Sequence, residues 1–143
     1  KLAKQHGKKS EYALCAAQWH KSLSYEDKFF GKASKFDKDF NAEFGYAPPY
    51  QAAESAAALL VWKAAFEKAN SFDTEKVRNA LAKTDMQTFY GNIKFSDTGQ
   101  NVAKPMVLFQ VRCTGDTCEN KVVAPTKWAS AKLVHPIPSW SKR

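Results

Sequence analysis

The sequence predicts a mixed α/β chain, and three observations carry that expectation. A short apolar run, EYALCAAQW (11–19), is bounded by polar residues and reads as a buried strand. Between residues 25 and 83 the apolar positions recur at helical spacing. After Thr84 the period drops to two, with aromatic and β-branched residues in alternation. The 143 residues are enough for one domain with a buried core, or for part of something larger.

The chain opens on a basic lead-in, KLAKQHGKKS, without an initiator Met or a signal peptide, as a mature N-terminus or a cut site would. Within the first strand, Cys15 reads as a small core residue. In YEDKFFGKASKFDKDFNAEFG, Phe29, Ala33, Phe36, Phe40 and Phe44 fall at steps of four, three, four and four. That is one face of a helix, expected in the core, with Gly45 at the C-terminal stop. Pro48 and Pro49 then fix the approach to a second helix, from Tyr50 to Asn70, that is apolar on nearly every side. Asp73 and Thr74 offer an N-cap to a third helix, EKVRNALAK, with Val77 and Leu81 pointing inward.

The strand-like segments follow. TFYGNIKF and PMVLFQVRC read as strands, and KVVAP as the hairpin partner of the latter. The tail VHPIPSW is extended by its prolines and expected to pack down. The order strand, three helices, strands is unusual for a self-contained domain. A lone first strand has no neighbour in sequence to pair with, and the apolar second helix lacks obvious cover. Both features read as a fragment whose missing partners lie in another stretch of chain.

Composition removes several function classes. The net charge of +8 raises nucleic acid as a partner, but of 22 basic residues only Arg78, Arg112 and Arg143 are arginine. The lysines are spread among acids such as Glu26, Asp27, Asp37 and Asp39, and the aromatics sit at core spacings rather than between lysines. A solvated surface is the expectation, and no nucleic acid. The longest apolar stretch, SAAALLVWKAAF, is too short and too charged to span a bilayer. No G-x-S-x-G, H-E-x-x-H or Cys/His pairing points to an enzyme. The histidines at 6, 20 and 135 do not complete a zinc site with the cysteines, and no metal or cofactor is expected. Cys113 and Cys118 bracket TGDT between two apolar runs, a placement that suits a disulfide across a hairpin in an oxidising compartment.

The stretch from GYAPPYQAAESAAALLVWKAAF through TFYGNIKFSDTGQN and PMVLFQV, followed by VVAP and PIPSW, resembles the C-terminal part of type 1 periplasmic solute-binding proteins. These are the branched-chain amino acid-type receptors of ABC importers. The resemblance covers essentially the whole chain, and its most specific part is the pairing of TFYG.I.F...GQN with the P.P.W end. It implies a fragment of a fold with two doubly wound α/β lobes joined by a hinge, with ligand bound in the cleft between them. Residues 10–20 would be a hinge-crossing strand. Residues 25–100 would be helices and return segment of the N-terminal lobe, and 104–143 strands and tail of the C-terminal lobe. TFYGNIKFSDTGQN would then serve hinge-side architecture rather than chemistry.

The resemblance also implies a site. The family places an aromatic side chain against the ligand just before the long second helix, and Tyr50 matches that position, to within about one residue of register. Trp19, at the end of the crossing strand, is a second candidate for the cleft. Gln51 and Glu54, at the helix start, are candidates for polar contacts. The family's binders of an amino acid's charged groups lie largely in the earlier chain. The implied function is that of a receptor without enzymatic activity, periplasmic or else extracellular and held at the membrane through its transporter. It would trap an amino acid, amide or aromatic or aliphatic carboxylate by hinge closure and deliver it to a membrane permease. A ligand-sensing regulator with the same fold is the first alternative, and a basic nucleic-acid-binding domain the second. The implied partners are that solute, the permease, and either the missing N-terminal portion or an intertwined dimer that replaces it.

Overall fold

The computed structural model describes residues 5–142, so part of the basic lead-in and Arg143 lie outside the described residues. The chain divides into two compact units. One is formed by both ends of the chain, up to Ser22 and from Met106 onward; the other is Leu23–Pro105.

The unit built from the chain ends is a three-stranded antiparallel sheet in the order β1-β6-β7. Its strands are β1 (Leu14–Ala17), β6 (Val107–Thr114) and β7 (Thr117–Ala124). The first strand therefore has its partner within the chain: Leu14 lies opposite Gln110 and Ala17 opposite Val107. Sequence proximity could not show this, because the pairing closes a loop of about ninety residues. The strand is also less buried than its apolar run suggests. Leu14, Cys15 and Ala16 are exposed and only Ala17 is buried, because β1 is an edge strand hydrogen-bonded on one side alone. Cys15 is thus an exposed thiol rather than a core residue.

Val107, Val111, Val122 and Val123 are buried on β6 and β7, on both faces of the sheet, and Gln110 is fully buried. A buried amide needs its hydrogen bonds. Gln110 Nε2 donates to the carbonyls of Tyr12 and Val134, and its Oε1 accepts from the Val134 N–H. One side chain thereby ties the lead-in and the proline-rich tail to the central strand. The tail is packed down at Val134, whereas Trp140 remains 55% exposed.

The second unit carries three helices: α1 (Ala33–Phe44), α2 (Tyr50–Ala69) and α3 (Thr74–Ala82). The first helix begins later than its Phe spacing suggests. Glu26–Asp27 (β2) and Gly31–Lys32 (β3) pair instead as a short antiparallel ribbon. Asp27 holds the ribbon's turn, its Oδ1 accepting the N–H groups of Phe29 and Phe30 at 2.8 Å each. The predicted stripe is accordingly split. Ala33 and Phe36 are buried, but Phe29 lies on the ribbon turn and Phe44 on the last turn, and both are more than half exposed. Gly45 ends α1 in the left-handed conformation (φ 74°), its N–H returning to the Asn41 carbonyl.

Asp73 caps α3, accepting from the Lys76 N–H at 3.0 Å. Val77 and Ala80 of α3 pack with Ala65 of α2, and Leu81 joins them partly buried. The opposite side of α2 is uncovered among the described residues: Leu59, Trp62 and Phe66 are exposed, as is Phe72 beyond it. The charge pattern follows the sequence reading, since Lys35–Asp39, Lys63–Glu67, Arg78–Glu75 and Lys94–Asp85 are ion pairs on the surface. Among the described residues no helix is long and apolar enough to cross a membrane.

Candidate functional site

The segment TFYGNIKF is not one strand but most of a hairpin. β4 (Asp85–Thr88) and β5 (Gly91–Lys94) pair in register, Thr88 opposite Gly91, around the two-residue turn Phe89–Tyr90. Thr88 makes the turn local: its Oγ1 accepts from the N–H groups of Tyr90 and Gly91 and donates to the Gly91 carbonyl at 2.9 Å. A turn of two aromatics is atypical, and both are buried, Phe89 completely.

Phe89 anchors the turn. Its N–H donates to Asp27 Oδ2 at 2.7 Å, so one carboxylate serves both the β2–β3 turn and a donor 62 residues further on. Its ring stacks on Phe36 at 4.2 Å between centroids and meets the edge of Phe30 at 5.0 Å.

Tyr90 faces a different set of groups. Lys104 Nζ stands 4.0 Å from the centre of its ring, a cation–π contact. Gly91 makes that contact possible. With φ 145° it takes a conformation that favours glycine, and a Cβ there would lie 2.4 Å from Lys104 Cδ and 2.6 Å from Cε. Burial pushes the Tyr90 phenol well above its ordinary pKa, and the Glu54 carboxylate and Tyr50 add to the effect. Burial pulls Lys104 down to about 8, partly offset by Glu54. Tyr50, Glu54, Tyr90 and Lys104 thus form one electrostatic neighbourhood at the start of α2.

The start of α2 has no side-chain cap. Pro49 precedes it in extended conformation, its carbonyl accepting from the Ala52 N–H. Tyr50 is 37% exposed, enough for its ring to meet a ligand, and Glu54 and Gln51 are exposed. Glu54 and Tyr90 also border a groove of about 640 Å³ whose apolar wall includes Ala57, Val61, Ile93 and Phe95.

Tyr50, Gln51 and Glu54 all lie exposed in the first turns of α2. Trp19 belongs to the other unit and is 5% exposed. Cys113 and Cys118 lie directly opposite across β6 and β7 and are joined by a disulfide. Tyr90 and Lys104 were not singled out by sequence reasoning. The signal for Tyr90 was a Gly immediately after two aromatics in a run of strand residues. Lys104 had none, being one lysine among many.

This chain belongs to the periplasmic binding protein family, whose pattern residues 1–117 match. Its fold is similar to that of the leucine-binding protein LivK from Thermotoga maritima MSB8, with a TM-score of 0.66 at 22% identity. The match covers 87% of this chain and 34% of that one, so the chain spans about a third of that protein's length.

Proposed function

We propose that the chain is part of a two-lobed solute receptor, the ligand-trapping component of an ABC importer in an oxidising, periplasmic compartment. The observation that carries this reading is the open aromatic at the start of α2: Tyr50, grouped with Glu54, Tyr90 and Lys104. Its ring covers the apolar part of a small amino acid, amide or carboxylate, while polar neighbours orient the remainder. Ligand contacts to both lobes stabilise the closed form, which docks on a membrane permease that takes the solute. The Cys113–Cys118 disulfide suits that compartment. In the same reading, residues 10–20 cross the hinge, 25–100 belong to the N-terminal lobe and 104–143 to the C-terminal lobe.

L-Leucine, the ligand in the name of the solved relative, is the first compound to titrate, followed by L-phenylalanine. Calorimetry on the complete protein with Tyr50→Ala should show affinity weakened about ten- to hundredfold, with the circular dichroism spectrum retained. Equal affinity in wild type and variant would reduce Tyr50 to a turn residue and remove the reading's support.

A further inference from the structure

We propose that the unit formed by the two chain ends is a basic docking surface that holds the protein at an anionic phospholipid membrane. The inference goes beyond the ligand reading above and does not depend on it.

Charge is divided unequally along the chain. Residues 23–105 carry eleven lysines and arginines and eleven acids, so their charges cancel. Residues 1–22 and 106–143, which form the other unit, also carry eleven basic residues but only three acids, Glu11, Asp116 and Glu119. The whole net charge of +8 therefore belongs to that unit, and the even spread of lysines among acids holds for the other alone. The fold gathers part of this charge around β7, an edge strand. The 3-10 turn Gly7–Ser10, with Lys8 and Lys9, packs against β7, and so does the turn Thr126–Trp128, with Lys127. Arg112, on the neighbouring β6, donates from Nη2 to the Lys132 carbonyl, which ties Lys132 to the same sheet. Lys8, Lys9, Lys127 and Lys132 are all exposed. Of the three acids, Glu119 is already paired with Lys121 at 2.6 Å.

The composition of the surface favours lipid. Nine of its eleven basic residues are lysine, a hydrated point charge on a flexible stem. A field of headgroups makes no geometric demand on such a charge, whereas bidentate pairing with nucleic acid or carboxylates favours arginine. Apolar side chains accompany the lysines. Lys127 Nζ lies 5.4 Å from the centre of the Trp128 ring, exposed Leu133 follows Lys132, and exposed Trp140 precedes Lys142 by two residues. Tryptophan with lysine suits a lipid–water interface, the ring among the headgroups and the ammonium at the phosphates. Among the described residues no helix can cross a bilayer, so the contact is peripheral and salt-sensitive.

The test is co-sedimentation of the complete protein with phosphatidylcholine vesicles, either pure or containing about 30% phosphatidylglycerol, in about 50 mM salt. Wild type should bind the anionic vesicles at least about tenfold better than the neutral ones, and about 500 mM salt should release it. Lys8→Gln, Lys9→Gln, Lys127→Gln and Lys132→Gln together should weaken that binding about a hundredfold or more. The same loss of charge in the other unit, by Lys38→Gln, Lys68→Gln, Lys76→Gln and Lys83→Gln, should change it less than about threefold. If the first variant melts early, Lys127→Gln with Lys132→Gln repeats the comparison against Lys76→Gln with Lys83→Gln. Equal losses from the two units overturn the inference, as does wild type that binds both vesicles alike or neither. Wild type that holds single-stranded DNA more tightly than the anionic vesicles assigns the surface to nucleic acid and also overturns it. L-Leucine titration of the same protein reads the ligand proposal separately, because none of these lysines belongs to the candidate site.

Discussion

Removing the Asp27 carboxylate should loosen the turn that carries Tyr90. Asp27→Ala deletes the acceptor for the N–H groups of Phe29, Phe30 and Phe89. The first two donors belong to a surface turn that water can partly resupply, and losing each costs about 0.5–1 kcal/mol. Phe89 is fully buried beneath Phe36 and Phe30, so its N–H has no ready substitute. A buried donor stranded in this way costs about 1–3 kcal/mol. The expected loss is therefore about 2–5 kcal/mol, a large share of the stability of an ordinary domain. Asp27→Asn should fall between variant and wild type, because one amide oxygen can serve the ribbon turn or the hairpin but not both. Urea denaturation of the complete protein at pH 7, read by fluorescence, gives the midpoints, with the slope as a check on two-state behaviour. An Ala variant within about 0.5 kcal/mol of wild type would show that the carboxylate does not link the two turns.

Three further outcomes are expected. Thiol titration of unreduced protein in denaturant should find one thiol, Cys15, which should also react in the folded state; three thiols would contradict the Cys113–Cys118 bond. Lys104 titrates near 8 when folded and near 10.5 when unfolded, so between those values the unfolded chain binds more protons and stability should rise with pH. Glu54 and Tyr90 face it, and Lys104→Met should flatten the rise in urea midpoint between pH 7.5 and pH 10. The isolated 143-residue chain should self-associate at micromolar concentration and bind a hydrophobic dye, because Leu59, Trp62, Phe66 and Phe72 present an open apolar face. Sedimentation showing a compact monomer that binds no dye would contradict this.

The legible parts of the fold were those with local causes. The α2 helix, the Gly45 stop and the Asp73 cap each depend on residues within a turn of one another. The β6–β7 hairpin was legible for the same reason, its Cys113 and Cys118 being close in sequence. What escaped sequence reasoning was set by distant contacts. The β1–β6 pairing joins the two ends of the chain. The conversion of residues 26–32 from helix to ribbon depends on Asp27, whose second oxygen is committed to Phe89. At the candidate site, Tyr50 was legible only through family resemblance. Lys104 was invisible because its significance comes from a missing Cβ thirteen positions earlier. A side chain's role is readable from sequence when its partners are neighbours, and Lys104 meets none of its described partners that way.

A crystal structure of the complete protein with bound ligand tests the central claim most directly. The account predicts ligand atoms within about 4.5 Å of the Tyr50 ring. A ligand seated in the protein with no atom touching Tyr50 would contradict it.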